Sequence, residues 1–330
     1  MPNIGIMQTR NVMGYGAAVG AVDEGIRLRS DRLSLTGPLL LADWGTTSRR
    51  AWLLDARGKV VAAAEDPRGM ATIEPGGWEA AFGELKRSLG AAKPRLSLLS
   101  GMVGARTGWR EAHYLSCPVA LPDLVEELCW VEPGAVAIVP GISILRDGFA
   151  DVMRGEETQV LGAVAAGLIP RDCFICLPGT HTKWVVVRDG QVLQFRTVMT
   201  GELFALLRAS STVSAQVAGI VEAGPDFDAG VDCGLESGSV TADIFAVRAH
   251  ALLDSDRIGN GAAYLSGLLL GADLRVGVAM ADDGVVEIVA RDDLAALYSR
   301  ALARAGRKAR IVDGGLAAVA GLKRLAELAE

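Results

Sequence analysis

The chain has 330 residues, half of them hydrophobic, with a mean hydropathy of +0.30. That length and apolar content can bury a large core and suit two domains of ordinary size. A net charge of -6, an isoelectric point near 5.3 and the lack of a dense Lys/Arg cluster interleaved with aromatics exclude a nucleic-acid footprint and favour small-molecule chemistry.

Residues 1–38 mix scattered glycines with charges of both signs, show no clear period and read as an extension. Their apolar stretch 12–22 lacks a basic leader and a cleavage pattern, and no later apolar run reaches the roughly 18 residues of a membrane-spanning helix. Cys117, Cys129, Cys173, Cys176 and Cys233 form an odd set unlike a disulfide framework, as in a reducing cytoplasm. The expectation is a cytoplasmic protein with a small-molecule substrate, no nucleic-acid or membrane partner, and a sequence compatible with a homo-oligomer.

From Leu39 the pattern is strand, turn, strand, turn, strand. The apolar run 39–42 leads into Asp43-Trp44-Gly45-Thr46-Thr47-Ser48-Arg49-Arg50, and 59–65 is the third strand. A helix is predicted over 78–89, then an apolar strand over 96–99 that ends in Ser100-Gly101-Met102-Val103-Gly104. A glycine-rich loop directly after a buried strand lies at the carboxyl edge of an α/β sheet, where ligands bind, so Gly101 and Met102 are candidate substrate contacts. Residues 105–155 read as loop and short strands, and Asp151-Val152-Met153-Arg154-Gly155-Glu156-Glu157 feeds a helix of small residues.

The second half opens with strand 173–177, then Pro178-Gly179-Thr180-His181-Thr182-Lys183-Trp184 and two further strands through Val198. Helices over 201–207, 241–253 and 262–278 and strands over 285–290 and 309–313 complete the chain. Three strands followed by alternating helix and strand, occurring twice, predict a duplicated α/β fold.

The two Gly-Thr turns match each other: an apolar run, Gly-Thr, a basic residue and a tryptophan. Such turns gather backbone N–H groups and hydroxyls around one point and can hold a phosphate chain. The candidate phosphate contacts are Gly45, Thr46, Thr47, Ser48 and Arg50 in the first copy and Gly179, Thr180, His181 and Lys183 in the second. Lys183, Arg49 and Arg50 offer charge for a transferring phosphoryl group, and at least one of the three is expected to be a solvated surface residue. Asp43 ends an apolar strand, where a carboxylate needs a partner: either a hydrated Mg2+ shared with phosphate, or the N–H groups of the turn. Glu156 and Glu157 precede a helix, where each either stabilises its N-terminus or accepts the proton of a substrate hydroxyl. Arg154 and Arg196 suit a substrate carboxylate through the guanidinium fork, or an ordinary ion pair.

Five segments together carry a family resemblance: Asp-Trp-Gly-Thr-Thr-Ser at 43–48, Ser-Gly-Met-Val-Gly at 100–104, Val-Met-Arg-Gly-Glu-Glu-Thr-Gln at 152–159, Pro-Gly-Thr-His-Thr-Lys-Trp at 178–184 and Phe-Arg-Thr-Val-Met-Thr-Gly-Glu-Leu at 195–203. They closely resemble the 2-dehydro-3-deoxygalactonokinase family, from about Leu39 to the C-terminus. The resemblance implies an α/β fold of two ribonuclease-H-like lobes, shared with actin and the heat-shock ATPases, with ATP in an interlobe cleft. Residues 39–155 would be the first lobe, binding phosphate and sugar acid, and 156–330 the second, binding nucleotide. The implied reaction moves the γ-phosphoryl group of ATP, with Mg2+ at Asp43, to the 6-hydroxyl of 2-dehydro-3-deoxy-D-galactonate in galactonate catabolism. Glu156 stands where related carbohydrate kinases place an aspartate base, and Glu157 and Asp151 are further candidates. Arg291-Asp292-Asp293 departs from the Gly- or Ser-rich turn that packs against adenosine in related kinases. Two alternatives stand beside this reading: a non-catalytic sugar-acid or nucleotide sensor on the same fold, and a kinase of the epimeric gluconate-derived acid.

Overall fold

The computed structural model describes residues 37–91, 93–146, 148–254, 257–280 and 283–329. All of the expected extension except Gly37 and Pro38 lies outside the described residues. The first half runs β1 (Leu39–Trp44), β2 (Arg49–Leu54), β3 (Val60–Asp66), α1 (Trp78–Ser88), β4 (Leu96–Gly101), β5 (Tyr114–Ser116), α2 (Leu121–Glu126), β6 (Cys129–Glu132), β7 (Val136–Ile138), β8 (Gly141–Arg146) and β9 (Phe149–Met153). The second runs α3 (Glu156–Ala165), β10 (Cys173–Leu177), β11 (Thr182–Arg188), β12 (Gln191–Val198), α4 (Thr200–Ser210), α5 (Pro225–Glu236), α6 (Val240–Leu253), α7 (Gly261–Val278), β13 (Val286–Ala290), α8 (Asp292–Arg304), β14 (Ala309–Asp313) and α9 (Gly314–Ala329).

One sheet is ordered β3-β2-β1-β4-β7-β6 and the other β12-β11-β10-β13-β14, while β5, β8 and β9 form a small third sheet. In each large sheet an antiparallel meander continues into strands parallel to its first member, β4 and β7 in one case and β13 and β14 in the other. That is the ribonuclease-H-like topology, present twice, and the duplicated α/β fold expected from the sequence is the fold of the chain.

The central strands are covered on both faces, which is why they read as unbroken apolar runs. Leu39 and Leu41 of β1 and Cys173, Ile175 and Leu177 of β10 point into one shared core between the sheets, filled by α3 and α9. Leu40, Ala42 and Trp44 face a second core under α1, and Phe174 and Cys176 a third under α7 and α8. The two thiols of the Cys-x-x-Cys spacing therefore belong to different cores, as alternation along a strand requires. α9 packs along α3 and also touches β1 and β4, so the end of the chain reaches back to its first strand.

The sequence pattern does not announce α5, because Gly230 and Gly234 weaken its helix propensity. They are where α5 meets α7: a Cβ on Gly230 would stand 2.1 Å from Tyr264 O. No helix among the described residues is long and apolar enough to cross a membrane.

Candidate active site

The turns that close both meanders open onto one cavity of about 540 Å3. The β1–β2 turn lines it with Gly45, Thr46, Thr47 and Ser48, and the β10–β11 turn with Gly179, Thr180 and His181. Asp43, Arg50, Gly101, Met102, Arg154 and Glu156 also face it. Most of the residues singled out from the sequence thus converge. Each turn is braced from behind. Gly45 N donates to Ser48 O at 2.8 Å and Gly45 O accepts from Met70 N at 2.9 Å, while Thr180 O accepts from Glu202 N at 2.9 Å. His181 Nε2 pairs with the Glu202 carboxylate on α4.

Asp43 leaves the carboxyl end of β1 and accepts a hydrogen bond from Arg50 Nη2 at 2.6 Å. Two loops close over it through glycines in the left-handed region, Gly101 (φ 87°) and Gly155 (φ 108°). A Cβ on Gly101 would stand 2.6 Å from Trp44 O, so no larger residue fits this turn. Burial pushes the Asp43 carboxyl above its usual range; Arg50 pulls it back and the neighbouring Glu156 charge adds to the rise.

Glu156 begins α3 and presents its carboxylate to the cavity. Its Oε1 lies 3.0 Å from Lys183 Nζ, and its Oε2 accepts from Arg154 N at 3.2 Å. Glu157 is wholly buried and turned away, with both carboxyl oxygens accepting from Gly155 N at 2.8 and 2.7 Å. Burial, reinforced by the Glu156 charge, pushes its carboxyl up to about 8. Asp151 accepts from Thr197 N and from Thr197 Oγ1, both at 2.7 Å. Of the three candidate carboxylates, only Glu156 faces the cavity.

Arg154 lines the cavity with its guanidinium stacked over Tyr114 at 4.2 Å and Nη2 donating to Ala112 O at 2.6 Å. Arg196 is not brought to the cavity; it is exposed on β12 and stacks over Phe149 at 4.5 Å. None of Arg49, Arg50 and Lys183 is the solvated surface residue expected from the sequence. Arg49 is buried under α1, donates through Nε and Nη2 to the Asp66 carboxylate and through Nη1 to Ala81 O, and covers the Trp44 ring. β2 and β11 are interior strands, and Arg49 and Lys183, both buried on them, each need a partner.

The sequence reading did not single out Glu65, Gln159 or Leu294, which line the cavity together with Gly314 and with Val289, Ala290 and Arg291 from the turn that departs from related kinases. The charged run at 291–293 is divided by the fold. Asp292 and Asp293 open α8 on its exposed side, whereas Arg291 reaches Glu65 at 3.1 Å, leaving Val289, Ala290 and Leu294 as an apolar wall. Asp273 on α7 was also missed. It accepts hydrogen bonds from Trp184 Nε1, Thr200 Oγ1 and Tyr298 OH, each at 2.6 Å, tying β11, α4 and α8 together behind the second turn. Burial raises its carboxyl, and these donors oppose the rise.

The sequence profile of the 2-keto-3-deoxy-galactonokinase family matches residues 43–325, a span that holds both turns, the whole second large sheet and α3. The chain belongs to this family. It is 33% identical over 293 residues to the 2-dehydro-3-deoxygalactonokinase of Escherichia coli (strain K12), covering 88% of this chain and 98% of that one. A protein of Rhizobium meliloti (strain 1021), provisionally given the same enzyme name, is 35% identical over 307 residues, 89% of this chain and 98% of its own. A crystal structure from Sinorhizobium meliloti, also provisionally so named, matches with a TM-score of 0.81 at 34% identity, covering 87% of this chain and 98% of that one. The chain is therefore a member of a kinase family, a phosphotransferase, and its family implies ATP as the phosphoryl donor and a sugar acid as the acceptor.

Proposed function

We propose that this kinase transfers the γ-phosphoryl group of ATP to the 6-hydroxyl of 2-dehydro-3-deoxy-D-galactonate, with Glu156 as general base. The observation that carries this reading is the Glu156 carboxylate, standing in the cavity where the two Gly-Thr turns meet. The surroundings suit a polyphosphate. α3, α8 and α9 all begin at the cavity wall, at Glu156, beside Arg291 and at Gly314, so three helix N-termini lend it positive potential. Phosphoryl transfer needs chiefly such positioning and charge stabilisation, to which Arg50 and His181 contribute.

Residues 45–48 and 179–181 hold the phosphates, and Arg154, beside Gly101 and Met102, receives the carboxylate of the acid. As the 6-hydroxyl oxygen bonds to phosphorus and the bond to ADP breaks, Glu156 accepts the hydroxyl proton. Among the described residues no three His, Cys, Asp or Glu side chains form a metal cage. A Mg2+ ion would instead use the half-buried Asp43 together with phosphate oxygens and water, and when bound it neutralises phosphate charge. We assign residues 39–155 and 156–330 to two lobes, the second supplying α3 and α9 to the core between the sheets. Their closure excludes water and limits loss of ATP to hydrolysis.

Purified protein given ATP, Mg2+ and the acid should release ADP only when the acid is present. ADP release independent of the acid, or none with it, overturns the proposal. Rates on the galactonate- and gluconate-derived acids, compared side by side, test the choice of epimer.

A further inference from the structure

Lys183 belongs by sequence to the second phosphate turn, but the fold uses it differently. Alternation along β11 puts Lys183 on the same face as Val185 and Val187, toward the core that holds α3, while Thr182 and Trp184 face the opposite side. The side chain is 4% exposed and forms no part of the cavity wall. Its ammonium lies 3.0 Å from Glu156 Oε1 and donates to His181 O at 3.3 Å. With Arg154 N on Oε2, both oxygens of the Glu156 carboxylate are held. One anchor is the strand that carries the second turn, and the other is the backbone leading into α3.

A phosphate ligand must offer its charge to the cavity, and here the group between the Lys183 ammonium and the cavity is Glu156. A glutamate in the first turn of a helix otherwise has several rotamers open to it, and fixing one costs entropy. A buried ammonium in turn requires a carboxylate partner. Through His181 O the same ammonium grips the turn that faces the phosphates, so the position of that turn is passed to the carboxylate.

We propose that Lys183 is a positioning residue for Glu156, coupling the 179–181 turn to the base, and not a ligand of the ATP phosphates. The inference rests on the reading of Glu156 as base. It is tested with Lys183→Met, Glu156→Gln and the double variant, measuring kcat, KM for the acid, the ATP dissociation constant by calorimetry and the melting temperature. Misalignment of a reacting group by an ångström costs on the order of 100-fold in rate, so Lys183→Met should lower kcat by about 10- to 100-fold. ATP affinity should stay within about threefold, and in the Glu156→Gln background Lys183→Met should cost less than about threefold more, because residues acting as a unit are not additive. A tenfold or larger loss of ATP affinity, or losses that multiply, would overturn the inference while leaving the base assignment intact. Full activity in Glu156→Gln would instead remove the base assignment and this inference with it. Should Lys183→Met fail to fold, Lys183→Arg, which keeps the charge but displaces it, is read against its own double variant with Glu156→Gln by the same criteria.

Discussion

A helix turns about 100° per residue, so Glu156 and Glu157, adjacent at the start of α3, cannot both face the cavity. Glu156 does, and Glu157 spends its carboxyl on Gly155 N inside the core. Removing a general base from such a site commonly costs about 100- to 10,000-fold in rate. Glu156→Gln should fall in that range while still binding ATP, as steady-state assays and calorimetry would read. The effect of Glu157 is on stability. Its carboxyl moves from an ordinary 4.5 in the unfolded chain to about 8 in the fold. Between those values the unfolded state has lost a proton that the native state keeps. Its contribution is therefore complete below pH 4.5 and is lost as the pH rises toward about 8. Glu157→Gln keeps an acceptor for Gly155 N, and its melting temperature should fall less steeply over that window than that of the parent. An identical slope would mean that the native carboxyl is already ionised.

The critical contact between elements is the crossing of α3 and α9. A Cβ on Gly321 would stand 2.0 Å from Thr158 O, and one on Gly162 would stand 2.3 Å from Gly321 Cα. The backbones touch at a point where neither helix has a side chain. Gly321→Ala should push α9 away and cost about 1–3 kcal/mol, the usual penalty for overpacking, measured by urea unfolding. Because α3 begins at Glu156 and α9 at Gly314, both on the cavity wall, activity should fall with stability. A variant as stable and as active as the parent would show that the two helices can separate without disturbing the site. The Asp273 network is the matching device behind the second turn, where one carboxylate joins β11, α4 and α8.

Across the whole molecule, the cavity wall is drawn from the first large sheet, the second large sheet and the starts of three helices. A ligand held by all of them binds only the folded chain. ATP at about 100 times its dissociation constant should therefore stabilise the protein by about 2.7 kcal/mol, and ATP with the acid by more, which a thermal-shift titration would register. An acid that binds without raising the melting temperature would bind the unfolded chain as well as the folded one, and so would not depend on this assembled cavity.

Much of this was legible in the sequence. The runs at Leu39 and Cys173 are apolar without interruption because their strands are buried on both faces, and each leads directly into a Gly-Thr turn. Those local facts were sufficient for two meanders, for their duplication and for the two turns that line the cavity. Local patterning says nothing of what lies across a fold. That Lys183 meets Glu156, that Arg49 meets Asp66, that Arg196 stands outside the cavity and that Arg291 reaches Glu65 were decided by packing between segments distant in the chain. The division follows from the range of the forces. Backbone conformation and alternation are set by a residue and its near neighbours, whereas the partner of a buried charge is whichever opposite charge the tertiary structure places within a few ångströms.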